Sequence, residues 1–254
     1  MAAPGANDCV CLVIPCYNEA ARLDTRAFRD FLASDLASRL LFVDDGSADE
    51  TFTVLGRICE GFEARAEILR CKRNGGKGEA VRRGINHALS KYETPLVGFW
   101  DADLATPLHT VDSFRCVLND HAGLEMVFGS RVKLLGRHVE RRAVRHYLGR
   151  VFATAVSVML RLPVYDTQCG AKLFRVTPEL RSVFSQPFIS MWVFDVEILA
   201  RYLQLYHGDA KRLERVIYEY PLETWMDVAG SKVRSKDFFT AFFDIARIKR
   251  RYLS

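Results

Sequence analysis

A rhythm in the first 130 residues constrains the fold more than any other feature. Short apolar runs alternate with longer amphipathic segments. "CVCLVI" (9–14), "RLLFVD" (39–44), "AEILRC" (66–71), "PLVGFW" (95–100) and "EMVFGS" (125–130) read as buried strands. Between them, "TRAFRDFLASDLA", "DETFTVLGRICEGF", "GEAVRRGINHALSKY" and "HTVDSFRCVLND" read as helices. Strand–helix repetition at this spacing predicts an α/β fold, a mostly parallel central sheet with helices on both faces. In such sheets the ligand crevice lies beyond the carboxyl ends of the strands.

Those ends are where the polar residues gather. Pro15-Cys16-Tyr17-Asn18-Glu19 follows the first strand and Asp44-Asp45-Gly46-Ser47 the second. Arg73-Asn74-Gly75-Gly76-Lys77-Gly78 follows the third, Asp101-Ala102-Asp103 the fourth and Gly129-Ser130-Arg131 the fifth. One such loop is an ordinary turn; five at one sheet edge predict a site.

Composition sets the class. The chain has 254 residues, 49% hydrophobic and 26% charged, which suits a globular protein with a sizeable core. Seven cysteines with no CxxC pair suggest reduced structural thiols in a cytosolic setting, not a disulfide or zinc framework. The N-terminus "MAAPGAND" lacks a signal-peptide layout, and the longest apolar stretch, "VFATAVSVML" (151–160), is about half a bilayer span. The net charge of +5 is mild, but residues 131–150 hold seven Lys or Arg against one acid. No nucleic-acid-binding signature accompanies that patch. With no repeat or Pro/Gly-rich linker, the expectation is a single domain over 1–254. Residues 9–131 would form one half, 132–236 a second, and 237–254 a C-terminal amphipathic helix.

Each loop admits specific chemistry. Asp44 or Asp45 can accept hydrogen bonds from a ribose hydroxyl or a base N–H. Ser47 with Glu50 reads as a capping box for the next helix. "RNGGKGEAVRRG" lacks Walker-loop spacing, but its glycine amides at a helix start favour a phosphate. Asp101 and Asp103, two apart on an extended chain, can point the same way. Two carboxylates buried together need a cation, and hard ions such as Mg²⁺ and Mn²⁺ prefer such oxygens together with a diphosphate. The other reading of this pair is a plain polar turn. A haloacid-dehalogenase-type phosphatase is disfavoured, because Leu104-Ala105 follow the acids and three other polar strand ends precede them.

In this order and spacing, "VIPCYNEA", "LFVDDGSADET", "NGGKGEAVRRG", "DADLATP" and "GSR" resemble family 2 glycosyltransferases of the GT-A fold. "YDTQCGAKLFR", "FDVEIL" and "W…GSKV" are similar to the dolichyl-phosphate β-glucosyltransferase branch within the polyprenyl-phosphate sugar transferases. The resemblance implies transfer of a hexose, with UDP-glucose favoured, to a polyprenyl phosphate with inversion. It implies that Pro15, Tyr17, Glu19 and Asp44, with Asp45, meet the nucleoside, Lys77 the nucleotide and Asp101 the sugar or uridine. Asp103, with Asp101, would hold Mg²⁺ or Mn²⁺. Ser130 and Arg131 would face the acceptor phosphate, Asp166 would sit by the reacting centre, and Ser231 and Lys232 would close over the diphosphate. Many relatives carry Gln two residues after the second Asp; here that residue is Ala105.

An acceptor phosphate is already anionic, so Asp166 is expected to position rather than to accept a proton. A saccharide acceptor would instead need a base, for which Asp195 and Glu197 are candidates. A catalytically silent nucleotide-sugar-binding protein is the third possibility, and the intact charges speak against it. A helix over 238–248 would gather Phe238, Phe239, Phe242, Phe243 and Ile245 beside Arg247, Lys249, Arg250 and Arg251. That pattern suits an interfacial helix on anionic lipid, or an ordinary core helix. The expected setting is the cytoplasmic face of a membrane, met peripherally or through a membrane partner protein.

Overall fold

The computed structural model describes residues 9–140, 143–226 and 235–253. Seven strands form the central sheet: β1 (Val10–Cys16), β2 (Ser38–Asp44), β3 (Ala66–Arg70), β4 (Leu96–Trp100), β5 (Met126–Ser130), β7 (Ala171–Arg175) and β8 (Ile217–Pro221), in the order β3-β2-β1-β4-β7-β5-β8. β6 (His138–Glu140) and β9 (Thr224–Met226) pair separately. The expected parallel sheet is present with one exception. β7 runs antiparallel to both β4 and β5 and is wedged between them. Its segment, "AKLFR", has a buried lysine at its second position, which interrupts the apolar pattern that betrays a strand.

The strands are apolar on both faces because both faces are covered. Along β1, Cys11 and Val13 join one core with Val43, Phe99 and Phe128, while Val10, Leu12 and Ile14 join another with Phe42 and Trp100. The first core is closed by α3 (Lys77–Lys91), α6 (Pro178–Ser185) and α7 (Phe194–Leu205); the second by α1 (Thr25–Ser34), α2 (Thr51–Cys59) and α4 (Thr110–Asp120). Each fully buried Phe or Leu contributes about 1.5–3 kcal/mol. α3 lies so close to the sheet that a Cβ on Gly84 would fall 2.3 Å from Val13 Cγ1. Only glycine allows that approach, which fixes where the Lys77 end of α3 meets the sheet edge.

Chain order places β4 on the opposite side of β1 from β2 and β3. The switch point is therefore between β1 and β4, where a crevice opens at the carboxyl ends. The second half of the chain supplies β7 and β8 to this same sheet, so loops from both halves reach one edge.

Several boundaries differ from expectation. "ERV" does not begin a strand: it ends α8 (Ala210–Val216), whose N-cap Asp209 accepts from the Arg212 N–H. The Ser47–Glu50 capping box does not form. Glu50 occupies the N-cap of α2 without a side-chain cap, and Ser47 Oγ instead accepts from the Asn18 N–H at 3.0 Å. The tertiary contact between the β1 and β2 loops outcompetes the local cap.

α5 (Ala143–Leu160) and α9 (Ser235–Tyr252) flank α7. The C-terminal helix divides its face between the two readings offered by the sequence. Ala241, Ile245 and Ile248 are buried in the core, whereas Phe243 is 71% and Phe242 44% exposed. The side chains of Phe238 and Phe239 lie outside the described residues. Among the described residues, no helix is long and apolar enough to cross a membrane.

One edge contact makes a clear stability prediction. Glu67 on β3 accepts from Lys91 Nζ at 2.8 Å, sits 3.0 Å from His87 Nε2 and meets the Tyr92 hydroxyl. Burial alone would raise its carboxyl, but those partners outweigh burial and hold it at about 2, against a usual 4.5. A folded value below the unfolded one gives stability that is present above about pH 4.5 and lost as pH falls toward 2. Glu67→Gln should therefore flatten the fall in denaturant midpoint between pH 6 and pH 3. Parallel pH slopes for the two proteins would show that the contact carries no such linkage.

Candidate active site

The two acids after β4 occupy a turn, not the extended chain expected from their spacing. The Asp101 N–H donates to Gly170 O at 2.9 Å, and the Leu104 N–H returns to Asp101 O at 3.2 Å. Leu104 sits at φ +52°, a left-handed conformation uncommon for a γ-branched residue. The polar-turn and site readings thus coincide in one structure. Gly170 leaves room for the Asp101 carboxylate: a Cβ there would lie 1.9 Å from Asp101 Oδ2 and force that side chain to move.

The carboxylates then diverge in their partners. Asp101 Oδ1 pairs with Lys77 Nζ at 2.5 Å, from the first turn of α3. Asp103 Oδ1 accepts from the Ala105 N–H at 3.2 Å, and its Oδ2 lies 3.3 Å from Arg22 Nη2. Burial, and then the charge of Asp101, push the Asp103 carboxyl up, with Lys77 and Arg22 offsetting only part. Burial would lower the Lys77 ammonium, but Asp101, Asp195 and Asp103 outweigh it and hold the lysine charged.

On the other side of the switch point, Asp44 is fully buried at the end of β2. Its Oδ1 accepts from the Ser47 N–H at 3.0 Å, and Arg70 Nε lies 3.6 Å from its Oδ2. Asp45 faces away from that position. Its carboxylate takes the Gly75 and Gly76 N–H groups at 2.8–3.0 Å. This corrects the expected phosphate cradle: those amides are already occupied, and the Gly78 N–H goes to Met191 O at 3.2 Å. Burial raises the Asp45 carboxyl despite these donors. A cavity of ≈ 340 Å³ lined by Gly46, Ser47, Arg70, Cys71 and Lys72 opens beside Asp44. Its size suits a small ligand moiety. Pro15 pairs with Val43 at the end of β1, Tyr17 is 38% exposed, and Glu19 binds Arg22 at 3.0 Å.

The third group lies at the ends of β5 and β7. Arg131 and Asp166 form a fork: Nε to Oδ2 at 2.6 Å, Nη2 to Oδ1 at 2.8 Å, and the Arg131 N–H to Oδ2 at 3.1 Å. Asp166 is itself positioned by Glu219 on β8, which accepts the Tyr165 and Asp166 N–H groups at 2.8 Å each. The Arg131 guanidinium also lies over the Trp225 ring, 5.4 Å from its centroid. Burial would disfavour its charge, but Asp166 more than compensates and holds Arg131 protonated. Ser130 is buried beside it, and its Oγ has no hydrogen-bond partner among the described residues.

Beneath these groups, Lys172 is fully buried on β7. Its Nζ pairs with Asp195 Oδ1 at 2.6 Å and donates to Cys169 O at 2.5 Å, next to Gly170. Asp195 also receives Gln168 Nε2 at 3.4 Å. Glu197 belongs elsewhere: it binds Arg201, the Ile189 N–H and the Tyr252 hydroxyl, and so ties α7 to α9. That geometry removes Glu197 as a candidate base.

The structure therefore brings Lys77, Asp101, Asp103, Asp166, Arg131 and Asp195 to one sheet edge, with Asp44 across the switch point. Ser231 and Lys232 lie outside the described residues. The sequence reading missed Arg22, Arg70, Lys172 and Glu219. A lone charge inside an apolar strand, as in "AKLF" and "IYEYP", is the signal that could have found the last two. Among the described residues no three His, Cys, Asp or Glu side chains group around a metal position. The paired carboxylates, with the Asp103 carboxyl raised by burial and then by Asp101, still suit a hard divalent cation. Such an ion takes one or two protein carboxylates and completes its shell with phosphate oxygens and water.

Comparison with known proteins gives the family. The model of glycosyl transferase family 2 matches residues 11–177. The chain belongs to that family. This glycosyltransferase is 33% identical to the dolichyl-phosphate β-glucosyltransferase of Saccharomyces cerevisiae, over 95% of its own length and 74% of the relative's. It is 31% identical to the human protein of the same name, over 96% and 75%. Among solved structures it is similar to glucosyl-3-phosphoglycerate synthase from Mycobacterium tuberculosis, in complex with Mn²⁺, UDP and phosphoglyceric acid. That likeness has a TM-score of 0.66 at 21% identity, covering 96% of this chain and 78% of that one, and it shows the glycosyltransferase's fold.

Proposed function

We propose that this glycosyltransferase moves glucose from UDP-glucose to dolichyl phosphate, inverting the anomeric configuration. The observation that carries the reading is the Arg131–Asp166 fork at the same sheet edge as Asp101 and Asp103. It sets a buried, oriented guanidinium where an anionic acceptor can meet a donor. The relatives' names supply the sugar and the lipid.

The cavity beside Asp44 takes the nucleoside, with Pro15, Tyr17 and Glu19 lining the approach. Asp101 and Asp103 would hold Mg²⁺ or Mn²⁺, and the ion would supply charge neutralisation for the leaving group. Arg131 and Ser130 orient the acceptor phosphate. One phosphate oxygen then forms a bond to the anomeric carbon as the bond from that carbon to the diphosphate oxygen breaks. The electron pair leaves with UDP. No proton need be removed, so Asp166 holds Arg131 and does not act as a base. Lys77, kept charged by Asp101, adds a fixed positive charge near the leaving group.

Peripheral membrane contact follows from the same reading. Phe243 on α9 and Val151 and Val158 on α5 are exposed, and Arg247, Lys249, Arg250 and Arg251 close the helix. Leu134 and Leu135, just beyond Arg131, are exposed as well. These residues would meet the cytoplasmic leaflet, from which the acceptor phosphate would enter.

A panel of radiolabelled nucleotide-sugars offered with dolichyl phosphate in vesicles tests the proposal. Label should enter the lipid from UDP-glucose, with Mg²⁺ or Mn²⁺ present, at least tenfold faster than from GDP-mannose. Transfer only to water-soluble acceptors would refute the lipid assignment.

A further inference from the structure

Arg22 lies between two groups that the proposed function assigns to different tasks. Its Nη1 contacts Glu19 Oε2 at 3.0 Å and Oε1 at 3.4 Å, and its Nη2 contacts Asp103 Oδ2 at 3.3 Å. Arg22 follows β1 and Asp103 follows β4, so the guanidinium bridges the switch point itself. Its side chain is only 21% exposed, and its Nε is buried with no hydrogen-bond partner among the described residues. The guanidinium is thus held by its ends, with a donor to spare.

The carboxylate it touches is short of compensation. Asp103 is burdened by burial and by Asp101, and Lys77 is engaged with Asp101. Its Oδ1 is turned to the Ala105 N–H, so Oδ2 is the oxygen best placed for a cation, and Arg22 is on it. A divalent ion held by that oxygen at about 2.0–2.1 Å would stand within a few ångströms of the guanidinium, and repulsion between the two positive charges favours the arginine's departure.

We infer that Arg22 is the resident counter-ion of the Asp103 position, displaced when a divalent cation binds and then turned, still held by Glu19, toward the nucleotide diphosphate. This rests on the reading of Asp103 as an ion ligand. Arg22 prevents like-charge strain between Asp101 and Asp103 before the ion arrives, and its release makes the ion alone a weak ligand. A diphosphate offers the freed guanidinium a new anionic partner, so ion and nucleotide bind in a linked way.

Mn²⁺ binding without turnover separates the possibilities. Free Mn²⁺ is followed by electron paramagnetic resonance, with and without UDP, for the wild type, Arg22→Met, Arg22→Lys, Arg70→Met and Asp103→Ala. Removing an ion pair of this exposure should tighten Mn²⁺ alone by roughly threefold to tenfold in Arg22→Met. The enhancement of Mn²⁺ binding by UDP should shrink by a similar factor. Arg22→Lys, which keeps the charge, should lie between the two and serves as the folded alternative if the methionine variant is unstable. Arg70→Met removes an equal charge beside Asp44 without touching Asp103, and in the absence of UDP should change Mn²⁺ affinity less than twofold. Unchanged or weaker Mn²⁺ binding in Arg22→Met, or an equal gain in Arg70→Met, overturns the inference. If Asp103→Ala binds Mn²⁺ as the wild type does, the metal assignment itself fails, whatever the arginine variants show.

Discussion

Asp103→Asn is expected to lower transfer by about 10²- to 10³-fold, the range seen when one preorganised charge-stabilising group is removed from a site. The substitution is chosen because the turn should survive it. Asparagine keeps an oxygen for the Ala105 N–H, now 3.2 Å from Oδ1, and is at home in such turns. What it removes is the negative charge. The same change at Asp101 reports less cleanly, because it also releases Lys77 from its 2.5 Å contact and disturbs packing on Gly170. Calorimetry of UDP with and without Mn²⁺ is the direct measurement. The wild type should require the ion for tight UDP binding, and Asp103→Asn should bind UDP weakly and equally in both conditions. Metal-dependent UDP binding of wild-type strength in the variant would remove Asp103 from the ion's shell.

The strand ends were legible because they are local. Each apolar run stops where a loop with charged or glycine residues begins, and burial on both sides makes the runs continuous. What was not legible depends on partners far away in sequence. Asp45 and the Gly75–Gly76 amides each looked available for a ligand, and they satisfy one another instead across 30 residues. Ser47 looked like a cap until the β1 loop supplied the Asn18 N–H. The Lys172–Asp195 pair escaped because a buried charge is recognised only with its counter-charge, and the two sit on different elements. The extended geometry assumed for Asp101 and Asp103 failed for the opposite reason: the left-handed Leu104 is a local event, but nothing in leucine announces it.

The Arg131–Asp166 fork makes the second large prediction, and its test must divide structure from chemistry. Asp166→Ala leaves a buried guanidinium without its carboxylate, a change that costs about 3–5 kcal/mol. It also leaves the Gln168 N–H and the Arg131 N–H without the acceptor they share. Lost activity in that variant alone would therefore say little. Arg131→Met is the complementary single change and leaves Asp166 buried against Glu219. The pair Arg131→Met/Asp166→Ala removes both charges, so its melting temperature should fall less than the sum of the single falls. If Arg131 orients the acceptor phosphate, recovered stability should not bring recovered transfer. Arg131→Lys sharpens the point, because it keeps the charge but loses the two parallel bonds that aim it. We expect that variant to bind UDP as the wild type does, while the acceptor KM rises and transfer falls about 10²-fold, since misplacing a reacting group by about an ångström costs that much. Wild-type acceptor kinetics in Arg131→Lys, with the fold intact by circular dichroism, would reduce the fork to a brace between β5 and β7. Weakened donor binding with unchanged acceptor KM would instead move Arg131 to the donor side of the site.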